Sequence, residues 1–211
     1  MPPFDPHLTL LIVDDHFVFR AGLKAVLSLR KDFRVVAEAG DAASALAEFR
    51  RHEPGMTLMD LRLPDATGIE VLRQIRQEFP AARVLMLTTF DGDEDIHRAL
   101  QAGACGYLLK SVPGPELLRA IEAAALGKRY IPPQVQRRLE ERATFGELTD
   151  REREVLPLVV KGLTNKDIAG ILKFTEFTAK AHVRSLLTKL GAADRTELVA
   201  IAVQRGLVHL P

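Results

Sequence analysis

Up to about residue 127 the chain alternates two kinds of stretch. Short runs at 8–13, 33–39, 56–60, 83–88 and 105–109 are apolar at nearly every position and rich in Val, Ile and Leu. Runs with no polar face suit the central strands of a parallel sheet covered by helices on both sides. Between them, apolar residues return every three or four positions, which predicts helices over 16–30, 41–52, 68–79, 92–103 and 114–127. Such a succession of β-α units predicts an open α/β sheet with right-handed crossovers. Ligands of such sheets sit at the C-terminal ends of the strands.

The pattern changes after residue 127. Residues 128–145 hold Pro132-Pro133, many charges and few apolar anchors. They read as a linker, with a short exposed helix around 133–142. From 149 onward the strand signals stop. Helical patterns follow at 149–161, 164–172, 175–190 and 195–206, punctuated by Gly162 and Gly191. Thr149 with Glu152 three residues later has the spacing of a capping box, and Thr164 and Thr175 are further N-caps. Pro157 lies inside the first of these helices, where a missing N–H costs about 3 kcal/mol, so a kink or break is expected there. A short helix, a tight turn and a second helix describe a helix-turn-helix, whose second helix enters the major groove through its N-terminal half. The expected organisation is therefore an α/β domain over 1–127, a linker over 128–145 and a small all-α domain over 146–211.

Charge sharpens that division. Residues 1–127 carry 14 basic and 18 acidic side chains, whereas 146–211 carry 10 and 8, and 128–145 carry 5 and 2. An acidic first part and a basic last part point to a polyanion partner for the C-terminal half. Cys105 is the only cysteine, so no intrachain disulfide forms and a reducing cytosol fits. No apolar run approaches a membrane span, and Met1-Pro2-Pro3-Phe4-Asp5-Pro6 lacks the layout of a signal peptide. A cytoplasmic protein with no membrane partner is expected.

The ends of the strands carry the chemistry. Asp14 and Asp15 follow the first run, Asp60 ends the third, Thr88 ends the fourth and Lys110 follows the fifth. In a parallel sheet these ends meet at one edge. A carboxylate attacks a phosphoryl group poorly unless charge repulsion is relieved, and a hard divalent cation such as Mg²⁺, held by carboxylates, relieves it. Lys110 adds a fixed positive charge for the transferred oxygens and Thr88 a hydroxyl. The constellation suits phosphoryl transfer ending in an aspartyl phosphate.

Val13-Asp14-Asp15-His16, Met59-Asp60-Leu61-Arg62-Leu63-Pro64, Leu87-Thr88-Thr89 and Gly106-Tyr107-Leu108-Leu109-Lys110 together resemble the receiver domain of two-component response regulators. The resemblance implies a flavodoxin-like (βα)5 fold. It implies that Asp60 accepts a phosphoryl group from a sensor histidine kinase, with Asp14, Asp15 and Asp60 holding Mg²⁺ and Thr88 and Lys110 meeting the new oxygens. Thr88 and Tyr107 match the family's switch pair, with Tyr107 expected to turn inward as Thr88 moves. Thr67 stands where the family often has Asp, a change that bears on the entry to the third helix.

The C-terminal segment offers a second site. Lys180 and Arg184 lie four apart on one helix and share a face, with the small Ala181 beside them. Thr164, Asn165, Lys166, Thr178 and His182 are candidates for backbone contacts. Residues 147–208 resemble the LuxR-type helix-turn-helix, and with the receiver the chain looks like the NarL/FixJ family. By position, Lys180, Ala181 and Arg184 match the residues with which that family reads double-stranded DNA. Ala179 replaces the usual Val, and Phe177 places an aromatic near the DNA face. A homodimer on inverted half-sites is expected, with Leu198, Ile201, Ala202 and Val203 available to pack both the domain and a partner.

Two other readings use parts of the same pattern. An Asp-nucleophile phosphatase would also need a carboxylate, a Lys and Mg²⁺, but gives the DNA-binding half no place and lacks a second acid poised for turnover. A phosphorylation-independent regulator or adaptor would have no use for an intact acidic pocket.

Overall fold

The computed structural model describes residues 7–89, 92–143 and 147–208. The chain divides into two compact units, one carrying the sheet as far as Val135 and one holding the helices from Gln136 onward.

The first unit is built on strands β1 (Leu8–Val13), β2 (Phe33–Ala39), β3 (Met56–Asp60), β4 (Val84–Thr88) and β5 (Gly106–Leu109), all parallel in the order β2-β1-β3-β4-β5. Helices α1 (Phe17–Ser28), α2 (Ala42–His52), α3 (Gly68–Glu78), α4 (Asp93–Gln101) and α5 (Gly114–Ala125) alternate with them. This is the open α/β sheet expected from the alternation, with the flavodoxin-like order that the receiver resemblance implied. The uniformly apolar strands are explained by burial on both faces: β3 and β4 are buried at every position. Leu10, Ile12, Leu58, Leu85, Leu87 and Leu108 pack on one side against Leu23 and Leu27 of α1 and Leu117 and Ile121 of α5. The alternate residues Leu11, Val13, Met59 and Met86 are buried toward the other side.

Tyr130 falls within the stretch expected as linker, yet it pairs with the sheet. Its N–H donates to the Cys105 carbonyl at 3.0 Å and its carbonyl accepts from the Tyr107 N–H at 3.2 Å, beyond the edge of β5. Gly106 permits the approach, since a Cβ there would stand 2.6 Å from the Tyr130 carbonyl oxygen. Helix α6 (Pro133–Ala143) follows, with Val135 buried and Gln136, Arg137 and Glu140 exposed.

The second unit contains α7 (Asp150–Val160), α8 (Asn165–Leu172), α9 (Glu176–Leu190) and α10 (Arg195–Gln204). Its own core gathers Val155, Leu156 and Val159, Ile168 and Ala169, Ala179, Val183, Leu186 and Leu190, and Leu198 and Ala202. The caps form where the threonines stood. Thr149 and Thr164 each make a reciprocal capping box, with Glu152 and Asp167, and Thr175 accepts from the Thr178 N–H. Of the expected kink or break at Pro157, the break does not occur: the helix runs on to Val160. Proline removes one N–H near the end of a helix whose first turn is capped and whose flanking residues Val155, Leu156 and Val159 are buried. That packing outweighs the loss of one backbone bond.

Gly68 fixes the path of the chain past Asp60. Its N–H donates to the Leu61 carbonyl at 2.8 Å, and a Cβ there would lie 1.9 Å from the Asp60 carbonyl oxygen. No side-chain rotation relieves a clash with backbone. Gly68→Ala should therefore destabilise the sheet-bearing unit by about 1–3 kcal/mol, the cost of overpacking. Urea denaturation followed by circular dichroism checks this, and a neutral result would mean the loop between β3 and α3 yields freely.

Candidate functional site

Strand pairing brings the polar ends together. Val13 pairs with Met59, Asp60 with Leu87 and Thr88 with Leu109, so Asp14, Asp60, Thr88 and Lys110 stand at one edge of the sheet. The Lys110 N–H donates to the Thr88 carbonyl at 2.7 Å, carrying the ladder one residue past β5. Asp14, Asp60 and Thr88 are buried, while Asp15 is exposed.

The Lys110 ammonium lies between two acids, 2.6 Å from Asp14 Oδ2 and 2.7 Å from Asp60 Oδ2. Its third side faces the Phe19 ring, 4.8 Å from the centroid. Burial lowers the lysine's pKa, but hydrogen bonds to Asp14 and Asp60 outweigh it and leave Lys110 above the ordinary lysine range, fully charged at neutral pH. Burial pushes the Asp60 carboxyl above the usual carboxylate range, against the pull of Lys110 and with a further push from Asp14. Asp14 is held in place from its backbone: the Arg20 guanidinium donates to its carbonyl, and Asp14 Oδ1 accepts from the His16 N–H at 2.9 Å.

The donor set fits a hard divalent cation. Asp14, Asp15, His16 and Asp60 each place a ligand atom within 4.8 Å of the others, and the three carboxylates supply oxygen. Against them stands the one charge of Lys110. The three carboxylates outnumber that ammonium, an excess of negative charge that a divalent ion would offset.

Tyr107 is fully buried, as is Thr88. Both residues of the expected switch pair thus lie inside the fold.

In the second unit, α9 places Lys180, Ala181 and Arg184 in the open. Thr164 and Lys166 at the start of α8 are exposed as well. The other candidates are engaged locally. His182 is half-buried against the Phe174 ring, with centroids 5.6 Å apart. The Thr178 and Thr175 hydroxyls share a hydrogen bond of 2.9 Å. Asn165 Oδ1 accepts from Arg195 at 3.4 Å, and Arg195 also donates to the Leu163 carbonyl, so the loop before α8 is clamped from α10. Phe19, Arg20 and Arg195 were not singled out from sequence, because a ring under an ammonium and a guanidinium on a backbone carbonyl leave no local pattern.

Glu152 does more than cap α7. It is buried, accepts from the Thr149 N–H at 2.7 Å, and also takes 2.7 Å bonds from Ser185 Oγ and Lys189 Nζ of α9. One carboxylate thus ties the first helix of the domain to the exposed-face helix. Desolvation would raise its pKa, but the bonds from Lys189, Ser185 and Thr149 prevail and lower it to about 2.

Comparison with known proteins agrees with both halves. Residues 10–122 match the response regulator receiver domain, and residues 146–202 match the bacterial regulatory proteins of the luxR family. The chain belongs to the two-component response regulators that join a receiver to a LuxR-type DNA-binding domain. It is 37% identical over 207 residues to the response regulator protein VraR of Staphylococcus aureus, covering 96% of this chain and 99% of that one. Among solved structures, the response regulator ChrA of a heme-sensing two-component system is similar at 34% identity and a TM-score of 0.58, over 96% of this chain and 100% of that chain. RcsB from Salmonella enterica serovar Typhimurium, bound to promoter P1flhDC in the presence of the phosphomimetic BeF3-, is similar at 25% identity and a TM-score of 0.75, over 94% and 98%. Among the described residues, no helix is long and apolar enough to cross a membrane.

The Glu152 network makes a pH prediction. A carboxyl whose pKa is lowered on folding contributes stability that is fully present above its unfolded value and is lost as pH falls through the folded one. Acidification from about 4.5 toward 2 should therefore loosen α7 and α9 in wild-type protein. Glu152→Gln should lose about 1–3 kcal/mol at neutral pH and show a flatter dependence across that window. Hydrogen exchange of α7 and α9 amides in the full chain, at several pH values, measures both effects. Equal slopes in wild type and variant would remove Glu152 from the account.

Proposed function

We propose that Asp60 is the phospho-acceptor of this response regulator, that Mg²⁺ is held by Asp14, Asp15 and Asp60, and that a sensor histidine kinase is the donor. The observation that carries this reading is the charge arrangement: three carboxylates and one ammonium at a common sheet edge, with Asp60 the acid that both faces Lys110 and ends a central strand. Bound Mg²⁺ supplies the positive charge that lets an anionic phosphoryl group approach the acids. An Asp60 carboxylate oxygen forms the new bond to phosphorus while the bond to the donor's imidazole nitrogen breaks, and the proton needed by that nitrogen comes from solvent. Lys110 keeps its charge throughout and is placed to meet a phosphoryl oxygen. Thr88, buried at the adjoining strand end, orients its hydroxyl toward the same group. Thr88 and Tyr107 form the switch pair, and an added charge of about −1.5 to −2 is the driving change. The output is altered self-association or altered availability of the DNA-binding domain.

DNA is read by the exposed stripe of α9. Lys180 and Arg184 supply cations and Ala181 a small surface for close approach, with Thr164, Asn165, Lys166, Thr178 and His182 as supports on phosphate. Exposure of all three stripe residues on the helix that follows the turn supports the assignment. A homodimer on inverted half-sites about one helical turn apart fits the small size of one helix-turn-helix. In α10, Leu198 and Ala202 are committed to the core, while Ile201 and Val203 are only half-buried and remain available to a partner.

Incubation with a small phosphoryl donor and Mg²⁺ should add one phosphoryl group to wild-type protein and none to Asp60→Asn. Equal incorporation would move the acceptor elsewhere. Asp15→Asn should weaken Mg²⁺ binding, read by titration against thermal stability, while leaving the fold intact, because Asp15 is exposed at a strand end.

For DNA, Arg184→Ala and Lys180→Ala should each weaken binding. Where the lost contact is to phosphate, the slope of log affinity against log salt should fall by about 1. Where it is to a base, the loss should be sequence-selective, at about 1–3 kcal/mol. Titration of a labelled duplex at several salt concentrations separates the two. Unchanged affinity in both variants, with circular dichroism unaltered, would place the reading face elsewhere.

A further inference from the structure

Phe177, in the first turn of α9, is 83% exposed, the most exposed of the large apolar side chains among the described residues. The domain core is filled without it, by Ala179, Val183, Leu186 and Leu190 along the inner face of the same helix. Its direction decides its meaning. At 3.6 residues per turn, successive side chains are about 100° apart, so Phe177 points about 20° from Arg184, about 40° from Ala181 and about 60° from Lys180. The four form one stripe at positions 177, 180, 181 and 184, and all are exposed. Glu176, the acid of the first turn, lies about 100° round from Phe177 by the same count, outside the middle of the stripe.

A large ring set among two cations narrows the choice of occupant. An apolar protein surface would cover the ring but would also strip water from Lys180 and Arg184 without pairing them. The major groove suits all four residues at once, with phosphates on its walls for the cations and base edges on its floor. A phenyl ring neither donates nor accepts a conventional hydrogen bond. The feature of the groove floor that it can recognise is the thymine 5-methyl group.

We infer that Phe177 is a specificity-determining residue whose ring packs on a thymine 5-methyl in the major groove. This rests on the reading in which Lys180, Ala181 and Arg184 face DNA, and deepens it. Along the helix axis, Phe177 and Ala181 are about 6 Å apart. With base pairs about 3.4 Å apart, the thymine lies within about two base pairs of the base that faces Ala181.

The test needs a bound sequence and one chemical deletion. Binding sites are selected from random duplex with the full chain after treatment with a phosphoryl donor. Each thymine of the selected site is then replaced in turn by uracil, which keeps the base pair and removes only the methyl. Wild-type protein should lose about four-fold in affinity at one or two positions, the worth of one buried methyl group. Phe177→Ala should bind thymine and uracil equally there, while keeping its response to substitutions elsewhere. Identical uracil profiles for wild type and Phe177→Ala would overturn the inference. Arg184→Ala, run in parallel on the unmodified site, distinguishes the two levels. Weakened binding by Arg184→Ala together with identical uracil profiles would sink the role of Phe177 alone. Unchanged binding by Arg184→Ala would overturn the DNA-facing stripe and the inference with it.

Discussion

Lys110 sits between two buried acids, Asp14 at 2.6 Å and Asp60 at 2.7 Å, and its charge offsets the cost of keeping them out of water. Everything else at the sheet edge is arranged around that ammonium. Its backbone is fixed to Thr88 of the neighbouring strand, and its side chain rests over the Phe19 ring. Yet one ammonium does not balance three carboxylates. The pocket keeps an excess of negative charge, which suits a divalent cation. A fully neutralised cluster would be a better salt bridge and a worse reaction site.

The DNA-binding half solves a related problem with the opposite outcome. Glu152 is also a buried carboxylate, but its partners are complete: the Thr149 backbone, the Ser185 hydroxyl and the Lys189 ammonium all donate to it. The pKa directions show the contrast. Burial prevails at Asp60 and raises it, whereas donors prevail at Glu152 and lower it. A satisfied buried carboxylate joins elements rigidly, and here it joins α7 to α9. One whose pKa is raised by burial despite its partner, as at Asp60, is the more reactive kind.

Much of this was legible in the sequence because it is periodic or local. Strands buried on both faces must be apolar throughout, so the runs that end in Asp60 and Thr88 announced both the sheet and the edge where its polar residues collect. Thr149, Thr164 and Thr175 announced three helix starts, since a cap is a bond across only three residues. What stayed hidden depends on residues far apart in the chain. Lys189 and Ser185 reach Glu152 from more than thirty positions away. Tyr130 joins the sheet edge from within a stretch whose composition resembles a linker. The rule that proline disfavours a helix interior applied to Pro157 in isolation, and packing by Val155, Leu156 and Val159 overrode it.

The sharing of Lys110 between Asp14 and Asp60 bears on how such a pocket would register phosphorylation. An acyl phosphate on Asp60 replaces one carboxylate oxygen with a group that carries more charge and more acceptors. Lys110 would then exchange its Asp60 bond for one to phosphoryl oxygens, keeping Asp14 and the Phe19 ring as fixed supports. On the proposed reading, the free energy of the added charge would enter the structure through Lys110 and the Thr88 strand end to which its backbone is tied. A response at Tyr107 would then require contacts that differ between the two states, because a ligand shifts a conformational equilibrium only through such contacts.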